Sequence, residues 1–558
     1  MKRWFLGTRR RWTLGALAAV IGVSAFIVGF KPADTDYFFQ LNKSIDIFGR
    51  VYKEVSLNYV DQVDPQKFME SGIDGLLGSL DPYTNFIDES EGDEIELITT
   101  GMYGGIGVTI GVRDGFITVI SCMDGYSAAK QGLLPGDRIL EIDGKSLTGM
   151  KPEDVRSLTR GEPGSEMHVK IDREDEKEPL NFTLTREEIE LKNVTYSDFI
   201  DSGIGYIKLE RFSRGAGNEV RLAIQDLKLR GTMKGIVLDL RDNPGGLLEA
   251  AVEIVSKFVP KGSLIVSTKG RKPDSEKKYY SMEDPLVPDV PLIVIVNRNS
   301  ASASEIVAGA IQDLDRGVIL GTRSFGKGLV QTVVPLSYNT QLKITTAKYY
   351  TPSGRCIQEI DYSRRDNNGA FAVMIDSVEH DFKTLNGRLV HEHGGIAPDT
   401  LVDLPAPSVL NVELIRRLMY FKFATEYVAA HKSGADSFVA NDALLADFKK
   451  FLDDQKFTYE DEGEKKLDEL SLLADKSNYG PSVREEIGRL KTELEKEKSS
   501  AIEKNRAELL HSLNVEIMSR YKGDHGRIAA GLQNDRQIAA AEGLFAHVKA
   551  YSRMLSSK

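Results

Sequence analysis

Three serines in five positions, Ser300-Ala301-Ser302-Ala303-Ser304, open a stretch of helical pattern that runs to Asp313. A helix start needs one such hydroxyl as its cap, so the excess points to chemistry. Small neighbours leave the middle hydroxyl accessible, and a helix N-terminus favours negative charge developing beside it. A hydroxyl nucleophile needs a base. Eight histidines are present, His168, His380, His391, His393, His431, His511, His525 and His547, none in a glycine-flanked or strand-end context that resembles a nucleophile's partner. Lys327 is better placed, between Gly326 and Gly328 and among Phe325, Leu329 and Val330. Burial against apolar surface disfavours an ammonium and lowers its pKa, as a lysine base near neutral pH requires. A second junction, Leu238–Gly246 followed by a helical pattern from Leu247, carries tandem glycines. Such glycines let a ligand approach the backbone, and N–H groups at a helix start suit an anion. The blander readings are ordinary helix-start chemistry at 300–305 and a tight turn capped by Asn243 at 241–246.

Two competing chemistries are weak. Gly321–Lys327 has the Gly-x-x-x-x-Gly-Lys spacing of a phosphate loop, but Gly328 stands where a Ser or Thr would hold magnesium. His391-Glu392-His393 offers two histidines, yet on a strand Glu392 would face away from both.

These residues need a scaffold. Residues 205–210, 235–240, 292–296 and 318–320 are β-rich runs, alternating with helical patterns at 218–229, 247–258 and 303–313, which predicts a buried parallel sheet. Upstream, the glycine-rich Gly101–Val108 leads into short strands at 116–122, 138–142, 167–172 and 180–186, with helices at 127–131 and 151–158. That spacing predicts a compact, partly open β-barrel or sandwich. Residues from Tyr37 to about Leu97 have helical spacing, and after Pro405 and Pro407 the pattern is helical to the end. Within that tail, Arg484–Lys498 reads as a solvated helix face with i,i+4 ion pairs.

The composition is globular, with 41% hydrophobic and 28% charged residues among 558. A net charge of −11 leaves no basic footprint for nucleic acid. Two cysteines, Cys122 and Cys356, are too few for a disulfide framework or a cysteine zinc site. Lys2, Arg3, Arg9, Arg10 and Arg11 precede Trp12–Phe30, 19 residues without charge, closed by Lys31. That length suits a membrane-spanning anchor, with a cleaved signal peptide as the alternative. In both cases the basic end stays cytoplasmic and the remainder is exported.

Several ordered segments resemble the C-terminal processing (tail-specific) peptidases, serine proteases with a Ser–Lys dyad. They are Leu80–Tyr83, Tyr103–Gly107, Gly132–Asp137, Leu238–Gly246, Asn299–Glu305, Phe325–Gln331 and Tyr350–Arg355, and together they span roughly residues 40–405. One departure is Cys356, where a small polar residue is expected.

The resemblance implies a multidomain α/β plus β architecture: a signal anchor or signal peptide (1–31), an N-terminal helical region (32–97) and an inserted PDZ domain (98–187). A crotonase-like α/β protease core (188–405) and a helical C-terminal domain (406–558) follow. It implies Ser302 as nucleophile, Lys327 as general base 25 positions on, and Gln331 as the group orienting the lysine. The oxyanion hole is expected from the N–H groups of Ala303 and of Gly245 or Gly246. Tyr103, Gly104, Gly105 and Ile106 are expected to take a substrate C-terminus by strand addition. No metal or organic cofactor is implied. Expected partners are exported proteins or peptides with accessible C-termini, the membrane through the N-terminal helix, and a second copy or an adaptor on the helical tail. The expected location is the periplasmic side of the inner membrane, or the periplasm after cleavage. The rivals are a membrane-tethered PDZ scaffold with an inert core and a Ser-His-Asp hydrolase. The joint presence of Ser302, Lys327 and Gln331 weighs against the scaffold.

Overall fold

The computed structural model describes residues 33–89, 96–97, 99–113, 115–173, 176–201, 203–365, 371–373, 381–392, 394–431 and 438–557. Trp12–Phe30 lies outside these residues, and among those described no helix is long and apolar enough to cross a membrane. The chain divides into two compact units, residues 1–86 and 87–558.

In the first unit, α1 (Ala33–Asn58) and α2 (Pro65–Leu77) form the helices read from the sequence. Asp64 starts α2 by accepting from the N–H groups of Gln66 and Lys67 at 3.0 and 3.3 Å, and Pro65 takes the position where a missing N–H costs nothing. Tyr52 stacks on Phe68 with ring centroids 5.5 Å apart.

The second unit begins with a small β domain. β1 (Met102–Gly105), β2 (Val108–Arg113), β3 (Phe116–Cys122), α3 (Ser127–Gln131), β4 (Arg138–Ile142), α4 (Pro152–Thr159), β5 (Glu166–Asp172), β6 (Leu180–Thr185) and β7 (Glu187–Glu190) follow in order. An antiparallel sheet runs β2-β3-β4-β5-β6, so β2 is an edge. Alternation drives it: Met167, Val169 and Ile171 point into a core with Ile117, Val119, Ile139 and Val155.

The catalytic-looking junctions sit on a second sheet. The elements of this region are β8 (Val194–Asp201), β9 (Ile204–Leu209), α5 (Ala216–Arg230), β10 (Gly235–Asp239), α6 (Leu248–Ser256), β11 (Leu264–Gly270), β12 (Lys277–Tyr280), β13 (Leu292–Val296), α7 (Ala303–Asp313), β14 (Val318–Gly321), β15 (Leu329–Pro335), β16 (Gln341–Tyr350) and β17 (Thr400–Leu401). Strand order is β8-β9-β10-β13-β14-β17, parallel from β9 onward, with Val237 opposite Ile293 and Ile293 opposite Val318. A parallel sheet must be covered on both faces. Ile236, Leu238, Val294 and Ile319 pack against α5, α6 and α7. A smaller antiparallel sheet, β15-β16-β11-β12, flanks this layer.

The helical tail divides its work. α8 (Val409–Arg416), α9 (Met419–Ala430), α10 (Asp442–Asp454), α11 (Glu462–Lys476), α12 (Pro481–Ser499) and α13 (Arg506–Leu532) come first, then α14 (Arg536–Ala546) and α15 (Val548–Met554). Phe423, Phe448, Leu509 and Leu513 give α9, α10 and α13 a core of their own. α13 breaks at Lys522 and Gly523, where φ is −133° and 56°. Beyond the break, Ile528, Ile538, Ala541, Phe545 and Tyr551 cover Val237, Ile293, Ile295 and Val318, the second face of the parallel sheet.

Candidate active site

Ser302 lies where β13 hands the chain to α7. The flanking serines are taken up by backbone: Ser300 Oγ donates to the Leu240 carbonyl at 2.7 Å and Ser304 Oγ to the Asn243 carbonyl at 2.9 Å, both from buried positions. Ser302 instead is half-buried on the wall of a cavity of about 1530 Å³. Its φ is 55°, a left-handed value for a residue with a side chain, which costs on the order of 1–3 kcal/mol and persists only where the surroundings enforce it.

Glu305 does the enforcing. Its carboxylate is fully buried and accepts from Ser302 N at 2.8 Å, Lys327 N at 2.9 Å, Gly326 N at 2.7 Å and Ser324 Oγ at 2.6 Å. Burial pushes this carboxyl up to about 7, against four donors that favour its ionised form. On the carbonyl side, the buried Tyr349 hydroxyl lies 3.1 Å from Ser302 O and is also bonded to Lys327 O. Two loops far apart in the chain are thus held together by N–H groups on one side and carbonyls on the other.

Lys327 and Gln331 line the same cavity as Ser302, as do Gly245, Gly246 and Leu247. Lys327 is half-buried, with Leu329 buried beside it in sequence. Phe325, expected in the apolar wall, is 44% exposed. It ends a tight loop rather than entering the core, since Phe325 N donates to Ser300 O at 3.0 Å. Glycine is needed at 326, where φ is +89° and a Cβ would lie 2.7 Å from that of Glu359. Gln331 sits on β15, and its Nε2 donates to Thr345 Oγ1 at 3.3 Å.

The tandem glycines differ. Gly245 N–H donates to Asn243 Oδ1 at 2.9 Å, and a Cβ there would stand 2.9 Å from both Ala303 N and Ser302 Cβ. Gly246 is bridged to Phe212 through Leu247 N donating to Phe212 O at 2.7 Å, an arrangement that leaves the Gly246 N–H outside the bridge. Of the two, Gly245 spends its N–H within the loop. Asp242 ties this loop to the serine loop, accepting from Asn297 Nδ2 at 2.9 Å and Asn299 Nδ2 at 2.8 Å.

In the β domain, Tyr103, Gly104 and Gly105 pair in β1 with Ile189, Glu188 and Glu187 of β7, and Ile106 is buried in the core. Tyr103–Gly105 belong to that ladder, and β2, next to them, is one of the two edges of the larger sheet. A Cβ at Gly104 would fall 1.9 Å from Gly161 O, so this glycine serves packing.

None of the described histidines lines the cavity. His391 Nδ1 instead lies 3.4 Å from Asp381 Oδ1. His380 and His393 lie outside the described residues. Among the described residues no group of three His, Cys, Asp or Glu could hold a metal ion. Sequence reasoning missed Glu305 and Tyr349 as site residues. The Ser302-x-x-Glu305 spacing of a capping box signalled only the local half of the Glu305 role. Tyr349, on an ordinary-looking strand, carried no signal.

Comparison with known proteins decides the family. A carboxy-terminal-processing protease of Bartonella bacilliformis is 39% identical over 347 residues, 62% of this chain and 79% of that protein. The carboxy-terminal processing protease CtpB of Bacillus subtilis is 33% identical over 331 residues, 59% of this chain and 68% of that one. The chain belongs to the carboxy-terminal processing proteases. Within this protease, residues 203–363 match peptidase family S41, residues 118–173 a PDZ domain, and residues 410–545 the C-terminal helical domain of probable PDZ-proteases. A solved photosystem II D1 C-terminal processing protease is 27% identical, with 64% of this chain and 92% of that one covered and a TM-score of 0.34. The protease thus combines an S41 core, a PDZ domain and a helical C-terminal domain, and the inert-scaffold alternative finds no support.

Proposed function

We propose that this protease hydrolyses peptide bonds at or near the C-termini of exported proteins through a Ser302–Lys327 dyad. The observation that carries the proposal is the shared anchorage of these two residues: both backbones hang from Glu305, and both side chains line one cavity. Unprotonated Lys327 Nζ takes the proton of Ser302 Oγ, which attacks the scissile carbonyl. The N–H groups of Ala303 and Gly246 stabilise the oxyanion. The C–N bond then breaks, and Lys327 returns the proton to the leaving amine. Lys327 next deprotonates a water that attacks the ester, and the acyl group leaves as a carboxylic acid with Ser302 regenerated. Gln331, on the next strand, orients the lysine.

The PDZ domain recognises the substrate C-terminus by pairing along β2, an edge strand of its sheet, beside the glycine-rich Tyr103–Ile106 segment. The basic run before Trp12–Phe30 supports export, with this segment either kept as an anchor in the inner membrane or cleaved. The βαβ layering supports a crotonase-like core, and the proposed domains are 98–187, 188–405 and 406–558.

The test is cleavage of a disordered protein by wild type, Ser302→Ala, Lys327→Ala and each histidine variant. Selective loss with Ser302→Ala and Lys327→Ala supports the dyad. Loss with a histidine variant, or retained activity without Lys327, refutes it.

A further inference from the structure

We propose that Asp535 and Gln537, in the C-terminal helices, are positioning residues for the oxyanion loop 241–246, acting through Arg241. The inference rests on the Ser–Lys reading above and adds a task for the helical tail, to which no chemistry attaches by sequence.

Arg241 opens the loop that ends at Gly245 and Gly246. Its Nε and one terminal nitrogen donate to Asp239, at the end of β10, at 2.9 and 2.6 Å. The other terminal nitrogen donates to Asp535 Oδ2 at 2.6 Å and Gln537 Oε1 at 3.0 Å. Lys208 Nζ donates to the Arg241 carbonyl at 2.6 Å. The side chains of Arg241 and Asp535 are each only 11% exposed. A pair so shielded from solvent is not an ornamental surface contact, and without Asp535 the guanidinium keeps only Asp239 and Gln537 as side-chain partners.

The two acceptors come from 294 and 296 positions further along the chain. At its far end the loop is held by the Phe212–Gly246 bridge, and in its middle by Asn297 and Asn299 on Asp242. Its near end depends on Arg241. The tail that braces Arg241 also supplies Arg527, Ile528 and Leu532 to the cavity wall. The active-site loop is therefore complete only when the last helices are docked.

The experiment uses the full-length protease and Asp535→Asn. Asp535 Oδ1 caps α14 by accepting from Gln537 N at 2.8 Å and Ile538 N at 3.3 Å, and asparagine caps as well as aspartate. Only the Asp535 bond to Arg241 is lost, since an amide group then faces the guanidinium, while Asp239 and Gln537 stay in place. The control is Tyr551→Phe, which cuts a different tie between tail and sheet. The Tyr551 hydroxyl is bonded to the N–H and carbonyl of Leu292, each at 2.9 Å, at the start of β13 and away from Ser302.

The readouts are kcat and KM on a peptide, and the first-order rate constant for acylation of Ser302 by a saturating fluorophosphonate. A rate constant counts only folded molecules, so partial unfolding does not imitate the effect. Asp535→Asn is expected to lower kcat and the acylation constant about tenfold while KM moves less than about twofold, as misplacement of a catalytic donor does. Tyr551→Phe is expected to leave both unchanged. Wild-type acylation by Asp535→Asn, or an equal slowing by Tyr551→Phe, overturns the proposal. Substrate cleavage that survives Ser302→Ala fails the Ser–Lys reading instead, and is read separately from the tail's effect.

Discussion

Ser302 and Lys327 donate their backbone N–H groups to the same carboxylate oxygen of Glu305, at 2.8 and 2.9 Å. The loop of Ser302 and the loop of Lys327 are thus registered by one buried group. Glu305→Gln keeps the shape but sets an amide N–H₂ against two of the four donors, leaving buried N–H groups unpaired at about 1–3 kcal/mol each. The expected outcome is a fall in kcat/KM of about a hundredfold in peptide hydrolysis. Wild-type activity in this variant would show that the two loops hold register without the carboxylate.

The same residue sets a pH dependence of stability. Its carboxyl is raised to about 7 from an ordinary 4.5. Between these values the folded chain keeps a proton that the unfolded chain releases, so stability falls as pH rises through this window. A shift of about 2.5 units corresponds to about 3 kcal/mol. Calorimetric melting should show wild type losing stability relative to Glu305→Gln, which has no proton to release, from about pH 4.5 to about pH 7. Parallel curves for the two proteins would contradict this.

Glu305 also marks where sequence reasoning stops. The strand Leu292–Val296 is legible because a run of branched aliphatics bounded by polar turns fits a sheet buried on both faces. Ser302 and Lys327 stand out because small residues and glycines flank them. The bonds that bring them together are invisible, since Gly326 and Lys327 donate to a residue more than 20 positions upstream. Tyr349 looks like any strand tyrosine, and Phe325 looked like wall until the loop turned it outward. The tail's helices show amphipathic spacing throughout, and spacing alone does not tell α10, packed within the tail, from α14, packed on the sheet.

Gly245 has no room for a methyl group. A Cβ would meet Ala301 O at 2.7 Å, with Ala303 N and Ser302 Cβ at 2.9 Å. Gly245→Ala is expected to slow fluorophosphonate acylation of Ser302 by about a hundredfold or more. Gly543→Ala, on a helix with nothing within 4 Å of the new atom, is the matched control and should acylate at the wild-type rate.

Both cysteines should be inert in the native state. Burial pushes the Cys122 thiol up to about 12, with Asp137 adding to the shift, and burial also raises Cys356. The thiolate is the reactive form. Iodoacetamide near pH 8 should leave the folded protein unlabelled, and denaturant should expose two sites, as mass spectrometry would count. Rapid native labelling of Cys122 would refute its enclosure.

Ile538, Ala541, Phe545 and Tyr551 close the second face of the parallel sheet, which gives the order of synthesis a meaning. The ribosome delivers Ser302 and Lys327 some two hundred residues before the surface that seals the strands carrying Ser302. On a nascent chain that face of the sheet therefore stays uncovered until these helices emerge.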